Sequence, residues 1–168
     1  MSKIVTYKCL QCGSCCRTLY RKRGDIWTGL FLLPNEKNLF PTALIHPRYG
    51  LGRKPTHKGF KILAYQMSDN ICPHLKEDRC LIYSKRPIMC KGYPRGPWGE
   101  FDYSCTVFEK LGVKDGLHIT LMAESIENER MWSNQLRENF LKSVKKPNQL
   151  WSFDLKTRTW VKENILKS

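Results

Sequence analysis

A cluster of thiols near the N-terminus is the first feature of this chain that could carry chemistry. The stretch CLQCGSCC places Cys9, Cys12, Cys15 and Cys16 within eight residues. Thiolates bind soft metal ions and iron–sulfur clusters, and paired thiols can oxidise to disulfides. On an ideal helix Cys9, Cys12 and Cys16 share an arc of about 60°, whereas Cys15 lies about 100° from Cys16. One site for all four thiols therefore needs an irregular turn, which Gly13 permits; otherwise two sites share this segment.

The other four cysteines are spread over a segment that is rich in turn residues. Proline and glycine recur between residues 72 and 105, so few elements there can exceed a turn or two. Such a segment needs something besides a large core to hold it, and metal ligands would supply that. Eight thiols suffice for two four-thiolate sites, or for one cluster with additional structural thiols. The second set is Cys72, Cys80, Cys90 and Cys105.

The spacing leaves two metal centres open. The Cys9-x2-Cys12-x2-Cys15 core suits a 4Fe-4S iron–sulfur cluster with a remote fourth ligand, for which Cys90, four residues before Pro94, is a candidate. Zinc is the alternative, bound by the Cys9-x2-Cys12 pair together with a distant pair such as Cys72 and Cys80. Soft thiolates favour both metals, so ligand identity alone does not separate them.

Disulfides and buried thiols without metal are the remaining explanations. Lys3 and Lys8 bracket only four residues before the first cysteine, so we find no secretory signal and expect a cytoplasmic location. Thiols stay reduced in that compartment. Cysteine also serves as a small core hydrophobe. Burial of all eight thiols in the core without metal is a poor explanation for this chain, because half of them lie within eight residues.

Two motifs together resemble a known family. CLQCGSCC followed by ICPHLKEDRCLIYSKRPIMCKGYP is similar to the YkgJ-like cysteine-cluster family of zinc- or iron-chelating proteins, and the resemblance covers about residues 7–105. It implies that seven cysteines are metal ligands, with Cys105 matching a looser final cysteine. Arg86 and Pro87 correspond to the family's Arg-Pro pair, which makes Arg86 a candidate cofactor-binding residue. Related flagellin lysine methylases imply an iron–sulfur cluster, S-adenosylmethionine and methyl transfer. The seven are Cys9, Cys12, Cys15, Cys16, Cys72, Cys80 and Cys90.

The chain is strongly basic, which suggests an acidic partner. Lys and Arg outnumber Asp and Glu by 29 to 15, and the first 66 residues hold twelve of these cations against two acids. Metal-bound thiolates are negative, so part of this surplus could offset the metal sites. The alternative is RNA or an acidic protein bound by residues 46–61, predicted to be a loop in which basic and aromatic side chains alternate. These side chains are Arg48, Tyr49, Arg53, Lys54, Lys58, Phe60 and Lys61.

The elements that must position these residues indicate an α+β fold. Residues 1–8 and 60–66 are predicted strands, and residues 117–146, free of proline and glycine, have the periodicity of a long amphipathic helix. Residues 151–160 alternate as a β-hairpin does. We therefore expect one compact domain: a small irregular metal-stapled subdomain at 1–110, against which a C-terminal long helix and β-hairpin at 111–168 pack. No apolar run is long enough to span a membrane.

Familiar catalytic motifs of other classes are not found in the sequence. No glycine-rich dinucleotide or phosphate loop and no HExxH zinc motif occurs. Whether the protein is an enzyme is left open by the sequence, since any chemistry would have to come from the metal site or a bound cofactor. Three functions follow as hypotheses: a cysteine-cluster metal-binding protein, a methyltransferase-like enzyme that uses a cluster, and a basic RNA- or ribosome-associated module stapled by zinc.

Overall fold

Two compact units make up the chain, and each is built from two separate stretches. The computed structural model describes residues 3–5, 9–94, 102, 104–110, 119–121, 134 and 148–163. One unit comprises residues 1–18 and 71–135, and the other comprises residues 19–70 and 136–168. All eight cysteines belong to the first, which we call the cysteine unit, and none to the second, which we call the sheet unit. The domain boundary predicted at residue 110 stays a prediction, because residues 111–118 next to it are not among those described.

Most regular structure in the described residues is β-sheet. The two α-helices are α1 (Ile88–Gly92) and α2 (Thr106–Lys110). The strands are β1 (Lys3–Val5), β2 (Arg21–Arg23), β3 (Ile26–Thr28), β4 (Leu30–Leu32), β5 (Ile45–Gly52), β6 (Lys61–Met67), β7 (Leu75–Lys76), β8 (Arg79–Cys80), β9 (Ile119–Leu121), β10 (Gln149–Asp154) and β11 (Thr159–Lys162).

A five-stranded antiparallel sheet forms the centre of the sheet unit. Its strand order is β11-β10-β5-β6-β4, and a small β2–β3 hairpin accompanies it. The apolar run 30–33 is buried throughout, as expected for a strand in a core. Gln66 is fully buried and ties three segments together: it accepts from the Gly29 N–H at 3.0 Å and donates to the carbonyls of Pro47 and Phe153 at 2.8 and 3.0 Å. The apolar core of this unit therefore contains a satisfied polar cross-link at Gln66.

Two sequence predictions for this sheet are confirmed. The strand expected at 60–66 is β6, displaced by one residue. The C-terminal hairpin is β10 and β11, joined by a turn at residues 155–158. The hairpin alternates aromatic with polar residues, which is the period that a half-buried strand requires, whereas β6 was predicted from its β-branched and aromatic content.

The loop predicted at 46–61 is wrong for its first half, because residues 46–52 belong to the central strand β5. Proline and glycine in this stretch do not mark a turn. The pairing of β5 with β6 carries irregularities at Pro47–Tyr49 and at Tyr49–Gly50, which absorb the proline. A Cβ on Gly50 would lie 2.1 Å from the ring of Phe60, so glycine here permits the close approach of an aromatic side chain. Only residues 53–60 form the expected connection.

The predicted long helix at 117–146 is not shown: its beginning contains a strand, whereas Asn134, the other described residue of the span, is helical. Ile119–Leu121 form β9, which pairs in parallel with β1. The β-branched residues at these positions favour a strand once a partner is present, and the partner lies over a hundred residues away in sequence. The remainder of the span, apart from Asn134, lies outside the described residues. The strand expected near the N-terminus is confirmed as β1. Among described helices, none is long and apolar enough to cross a membrane.

Candidate metal centre

The first cysteine motif folds as an irregular loop that rests on the second motif. Gly13 adopts a left-handed conformation (φ 72°) and precedes a 3-10 turn at Ser14–Cys16. A Cβ at this position would meet the Leu75 side chain at 2.8 Å and the Asp78 backbone oxygen at 3.1 Å. Glycine is therefore required both by the backbone angle and by the space. The structure thus has at Gly13 the irregular turn that a single site for all four thiols would need, and whether they share one site stays a prediction.

Backbone contacts fix the second motif beside the first. The Cys72 N–H donates to the Cys16 carbonyl at 2.8 Å, which joins residues 56 apart in sequence. The β7–β8 hairpin follows at once, and its two turn residues, Glu77 and Asp78, both have positive φ as a two-residue hairpin turn requires. Arg17 forms an exposed ion pair with Asp78 across the same contact. The chain thus brings the two halves of the motif together through its backbone.

Five thiols form a connected group in this contact. The Cys16 thiol hydrogen-bonds with the thiols of Cys15 and Cys72. Cys80 interacts electrostatically with Cys72, Cys16 and Cys9. The bond to Cys15 raises the pKa of Cys16 to about 12, and the bond to Cys16, with burial, raises the pKa of Cys72 further. Adjacent thiols resist ionising together because each thiolate disfavours the next, so Cys16 and Cys72 carry protons at neutral pH until a cation replaces them.

Backbone N–H groups act on several of the sulfurs. The N–H of Gln11 donates to Cys9 Sγ at 3.4 Å. Hydrogen bonding from the backbone of Ser14, His74 and Ile82 acts to lower the pKa of Cys12, Cys72 and Cys80, respectively. A backbone N–H that donates to sulfur favours the thiolate over the thiol, so the local backbone is arranged for negatively charged sulfur. His74 contributes through its backbone N–H.

Cys12 differs from this group in its surroundings. Its Sγ lies 3.3 Å from Ser14 Oγ and 3.0 Å from Thr106 Oγ1, the first residue of α2. Burial acts to raise the pKa of Cys12, but the bonds from Ser14 and Thr106 outweigh it and lower the pKa overall. Cys12 is exposed, so it is the thiol best placed to ionise in solvent. Thr106 has no counterpart in the cysteine motifs, and no spacing rule would have found it.

The last two predicted ligands lie at the helices. Cys90 is half-buried within α1, and Cys105 is buried immediately before α2. Cys105 interacts electrostatically with Tyr93, whose pKa is raised by burial and by Asp102 as well as by this thiol. Cys12 and Cys105 thus both lie at the start of α2, since Cys12 contacts Thr106 and Cys105 directly precedes it in the chain.

Arg86 stands beside Cys80. Its guanidinium donates to the Tyr83 carbonyl at 2.6 Å and lies over the Tyr83 ring, 3.8 Å from its centroid. Its charge acts to lower the pKa of Cys80, although burial prevails and the pKa is raised overall. Arg86 is thus both the turn-stabilising residue and the cation that faces a predicted ligand.

The donor set fits a soft metal in kind, although the described sulfurs are not already arranged around an ion. All eight cysteines lie in the described ranges and none is joined in a disulfide. Within those ranges, no group of three or more His, Cys, Asp or Glu side chains has the geometry of a ready-made ion site. Convergent thiols with thiolate-favouring backbone donors are nevertheless the ligands that zinc and iron prefer.

Comparison with known proteins agrees with this chemistry. Residues 8–107, more than half of the chain, match the family model CxxCxxCC, described as a "putative zinc- or iron-chelating domain". No curated protein and no solved structure matches the chain. The family description does not extend to methyl transfer, S-adenosylmethionine or nucleic acid, so these stay predictions.

Proposed function

The chain belongs to the CxxCxxCC family of zinc- or iron-chelating domains, and from this premise we propose that it binds zinc or an iron–sulfur cluster through cysteine thiolates of the cysteine unit. The principal ligands in this proposal are the five connected thiols, Cys9, Cys15, Cys16, Cys72 and Cys80. Cys12, Cys90 and Cys105 complete the ligand set or form a second site near α2.

The grouping of thiols from both motifs, fixed by the bond from the Cys72 N–H to the Cys16 carbonyl, is the observation that carries the proposal. Backbone donors support it: the Gln11 N–H donates to Cys9 Sγ, and the backbone of His74 and Ile82 acts to lower the pKa of Cys72 and Cys80. A neutral thiol is a weak acceptor and gains little from such a donor, whereas a thiolate gains a charge-assisted hydrogen bond. The arrangement therefore favours metal ligands over core packing.

The thiols of Cys16 and Cys72 must lose their protons before they can bind a metal cation. The raised pKa values of Cys16 and Cys72 arise from neighbouring thiols, and a bound cation supplies the charge that lets several thiolates coexist. Arg86 assists as a positioning residue, because its guanidinium, held by Tyr83, favours the Cys80 thiolate. Metal binding is accordingly expected to release protons and to tighten as pH rises.

Anaerobic purification with elemental analysis tests the proposal directly. We expect either zinc in a colourless protein, or iron with acid-labile sulfide and a broad visible charge-transfer band. A protein that retains neither zinc nor iron after anaerobic purification, and takes up neither on addition, would refute the proposal.

Two matched variants locate the site. Cys16→Ser removes the thiol that contacts both Cys15 and Cys72, and we expect it to abolish stoichiometric metal. Cys12→Ser removes an exposed thiol outside that group, and we expect part of the metal to remain. Arg86→Gln should lower metal affinity by about tenfold through the lost charge beside Cys80. Equal metal content in the wild type and Cys16→Ser would exclude the five-thiol group as the site.

A further inference from the structure

The positive charge of the chain is concentrated in the unit that has no cysteine. The sheet unit holds 17 Lys and Arg against 6 Asp and Glu, a surplus of 11, whereas the cysteine unit holds 12 against 9, a surplus of 3. The expectation that part of the surplus offsets metal-bound thiolates stays a prediction, and it does not explain why most of the surplus belongs to the unit without thiolates. The surplus of Lys and Arg in the sheet unit therefore needs another explanation.

One face of the sheet carries a row of four aromatic rings. Phe60 meets Trp160 edge-on at 4.9 Å between centroids, and Trp160 meets Phe153 edge-on at 5.3 Å. His46 stacks on Phe153 at 6.2 Å with the planes 8° apart. Every ring in the row is partly exposed. Burial and the nearby Arg158 lower the pKa of His46, so its ring is neutral at pH 7.

The strand pairing explains why these rings share a face. Trp160 and Phe153 are directly opposite each other on β11 and β10. Gly50 on β5 lies opposite Trp151, two residues from Phe153, and leaves the space that Phe60 fills. Side chains two apart on a strand point to the same side. The row thus crosses three strands of one sheet.

Exposed cations flank this row in the two segments that carry Phe60 and Trp160. The two segments that carry Phe60 and Trp160, residues 53–62 and 155–162, contain seven Lys or Arg and no Asp or Glu. All seven side chains are exposed: Arg53, Lys54, Lys58, Lys61, Lys156, Arg158 and Lys162.

We propose that this face of the sheet unit binds single-stranded nucleic acid, with bases stacked on the row Phe60–Trp160–Phe153–His46 and phosphates held by the flanking cations. Partly exposed rings on a sheet and a positive rim are the two components that sequence-tolerant single-strand binding requires. A folded acidic protein would match the charge but would not require a row of rings. The surface differs from the strip predicted at 46–61, because Arg48 of that strip is buried against the Tyr49 ring.

Full-length protein and three probes test the stacking component. The probes are a short oligothymidylate, the same length of duplex DNA, and heparin, a polyanion without bases. We expect the single strand to bind more tightly than the duplex. Trp160→Leu should weaken single-strand binding about tenfold and leave heparin binding unchanged, and Trp160→Phe should restore most of the loss. Phe60→Leu provides the same test should Trp160→Leu fail to fold by circular dichroism.

The electrostatic component has its own matched control. Lys58→Ala with Lys162→Ala should weaken binding and reduce the slope of log affinity against log salt by about 1.4. The control variant, Lys76→Ala with Arg79→Ala, removes the same charge from exposed positions of the cysteine unit. It should change neither the affinity nor the salt slope.

Three results would overturn the proposal. These are duplex bound as tightly as single strand, full single-strand affinity in both Trp160→Leu and Phe60→Leu, or polyglutamate bound more tightly than the oligonucleotide. The last would identify the face as a site for acidic protein.

Discussion

The two units differ in what their described residues bury. Eight apolar side chains are buried in the sheet unit, and all of the buried polar or charged residues also belong to it. The described part of the cysteine unit buries five apolar side chains besides Pro87 and Pro94, and two of the five are the predicted ligands Cys72 and Cys105. Burial of a large aliphatic side chain contributes about 1.5–3 kcal/mol, so among the described residues the sheet unit gains more stability from apolar burial.

This contrast indicates two ways of specifying structure within one chain. The sheet unit is held by side chains that pack on each other, with Gln66 and Asp154 as buried polar cross-links. The cysteine unit, in our proposal, depends on sulfur and a bound metal for much of its stability, as small metal-bound domains do. The predictions below test that division, from the largest expected effect to the smallest.

Metal removal should separate the two units most strongly. On chelation under reducing conditions we expect backbone amides at residues 72–81 to lose hydrogen-exchange protection, while those of β5, β6 and β10 keep theirs. The reason is that apparent binding free energies of structural zinc reach about 10 kcal/mol or more and appear as folding free energy. Hydrogen exchange measured by mass spectrometry, before and after chelation, reports both units in one experiment.

Restored protection at 72–81 on adding the metal back would complete this result. Equal loss of protection in both units, or none in either, would show that the division is wrong.

Gly13→Ala should be the most damaging single substitution in the loop of the first motif. The substitution places a Cβ on a left-handed backbone and only 2.8 Å from Leu75 Cδ1. We therefore expect the free energy of unfolding to fall by about 4 kcal/mol and bound metal to be lost. Gly24→Ala is the matched control in the sheet unit, since Gly24 also has positive φ (57°) but nothing within 4 Å of its Cβ position. We expect Gly24→Ala to lower the free energy of unfolding by about 1 kcal/mol. Chemical denaturation with metal analysis distinguishes the two.

Similar stability losses in both glycine variants would mean that only the backbone angle matters. The docking of the first motif on β7–β8 would then be unimportant for stability.

Gln66→Leu should destabilise the sheet unit by about 3 kcal/mol without changing metal content. The substitution keeps the volume but leaves three backbone groups, on Gly29, Pro47 and Phe153, without their partner. Urea unfolding followed by tryptophan fluorescence measures the loss. A neutral effect would show that these groups find water instead, and loss of metal would contradict the independence of the two units.

Asp154 should give the sheet unit an acid-sensitive contribution. Its carboxylate accepts from the N–H groups of Trp27 and Lys156 and from the Thr157 hydroxyl, at 2.9–3.1 Å. Burial opposes ionisation, but these bonds outweigh it and lower the pKa of Asp154. A lowered folded-state pKa gives stability that is complete above the unfolded pKa of about 4 and is lost as pH falls through the folded value.

Asp154→Asn should therefore cost about 2 kcal/mol at neutral pH and flatten the decline in stability below pH 4. The exposed residue Asp25 provides the control, and Asp25→Asn should leave the acid limb unchanged. If stability still declined as steeply below pH 4 in Asp154→Asn as in the wild type, other carboxylates would be responsible for that decline.

Sequence patterns predicted the local elements of the sheet unit and failed where a partner was remote. Strand β6 and the β10–β11 hairpin could be predicted from the residue types within these segments, without knowledge of a remote partner. The stretch 46–52 was assigned to a loop because proline and glycine usually break strands, yet here Gly50 makes room for Phe60. Likewise, β9 was placed in a helix because its pairing with β1 lies far away in sequence.

For the candidate site, the sequence predicted the donors but not their grouping. The need for an irregular turn at Gly13 followed from spacing alone. The contacts of Cys16 with Cys72 and of Cys12 with Thr106 join residues 56 and 94 positions apart. No motif rule anticipates them, because each requires the chain to close a long loop first.

By itself, the sequence determined the class of chemistry: seven thiols in two motifs, with an eighth at Cys105, favour soft metals whatever the fold. Only the tertiary structure decided which thiols become neighbours and that the basic residues gather in the unit without cysteines. The physical reason is one of range. Ligand softness and strand period are properties of single residues and short segments, whereas the pKa of Cys16 and the aromatic row depend on groups that only folding brings within contact distance.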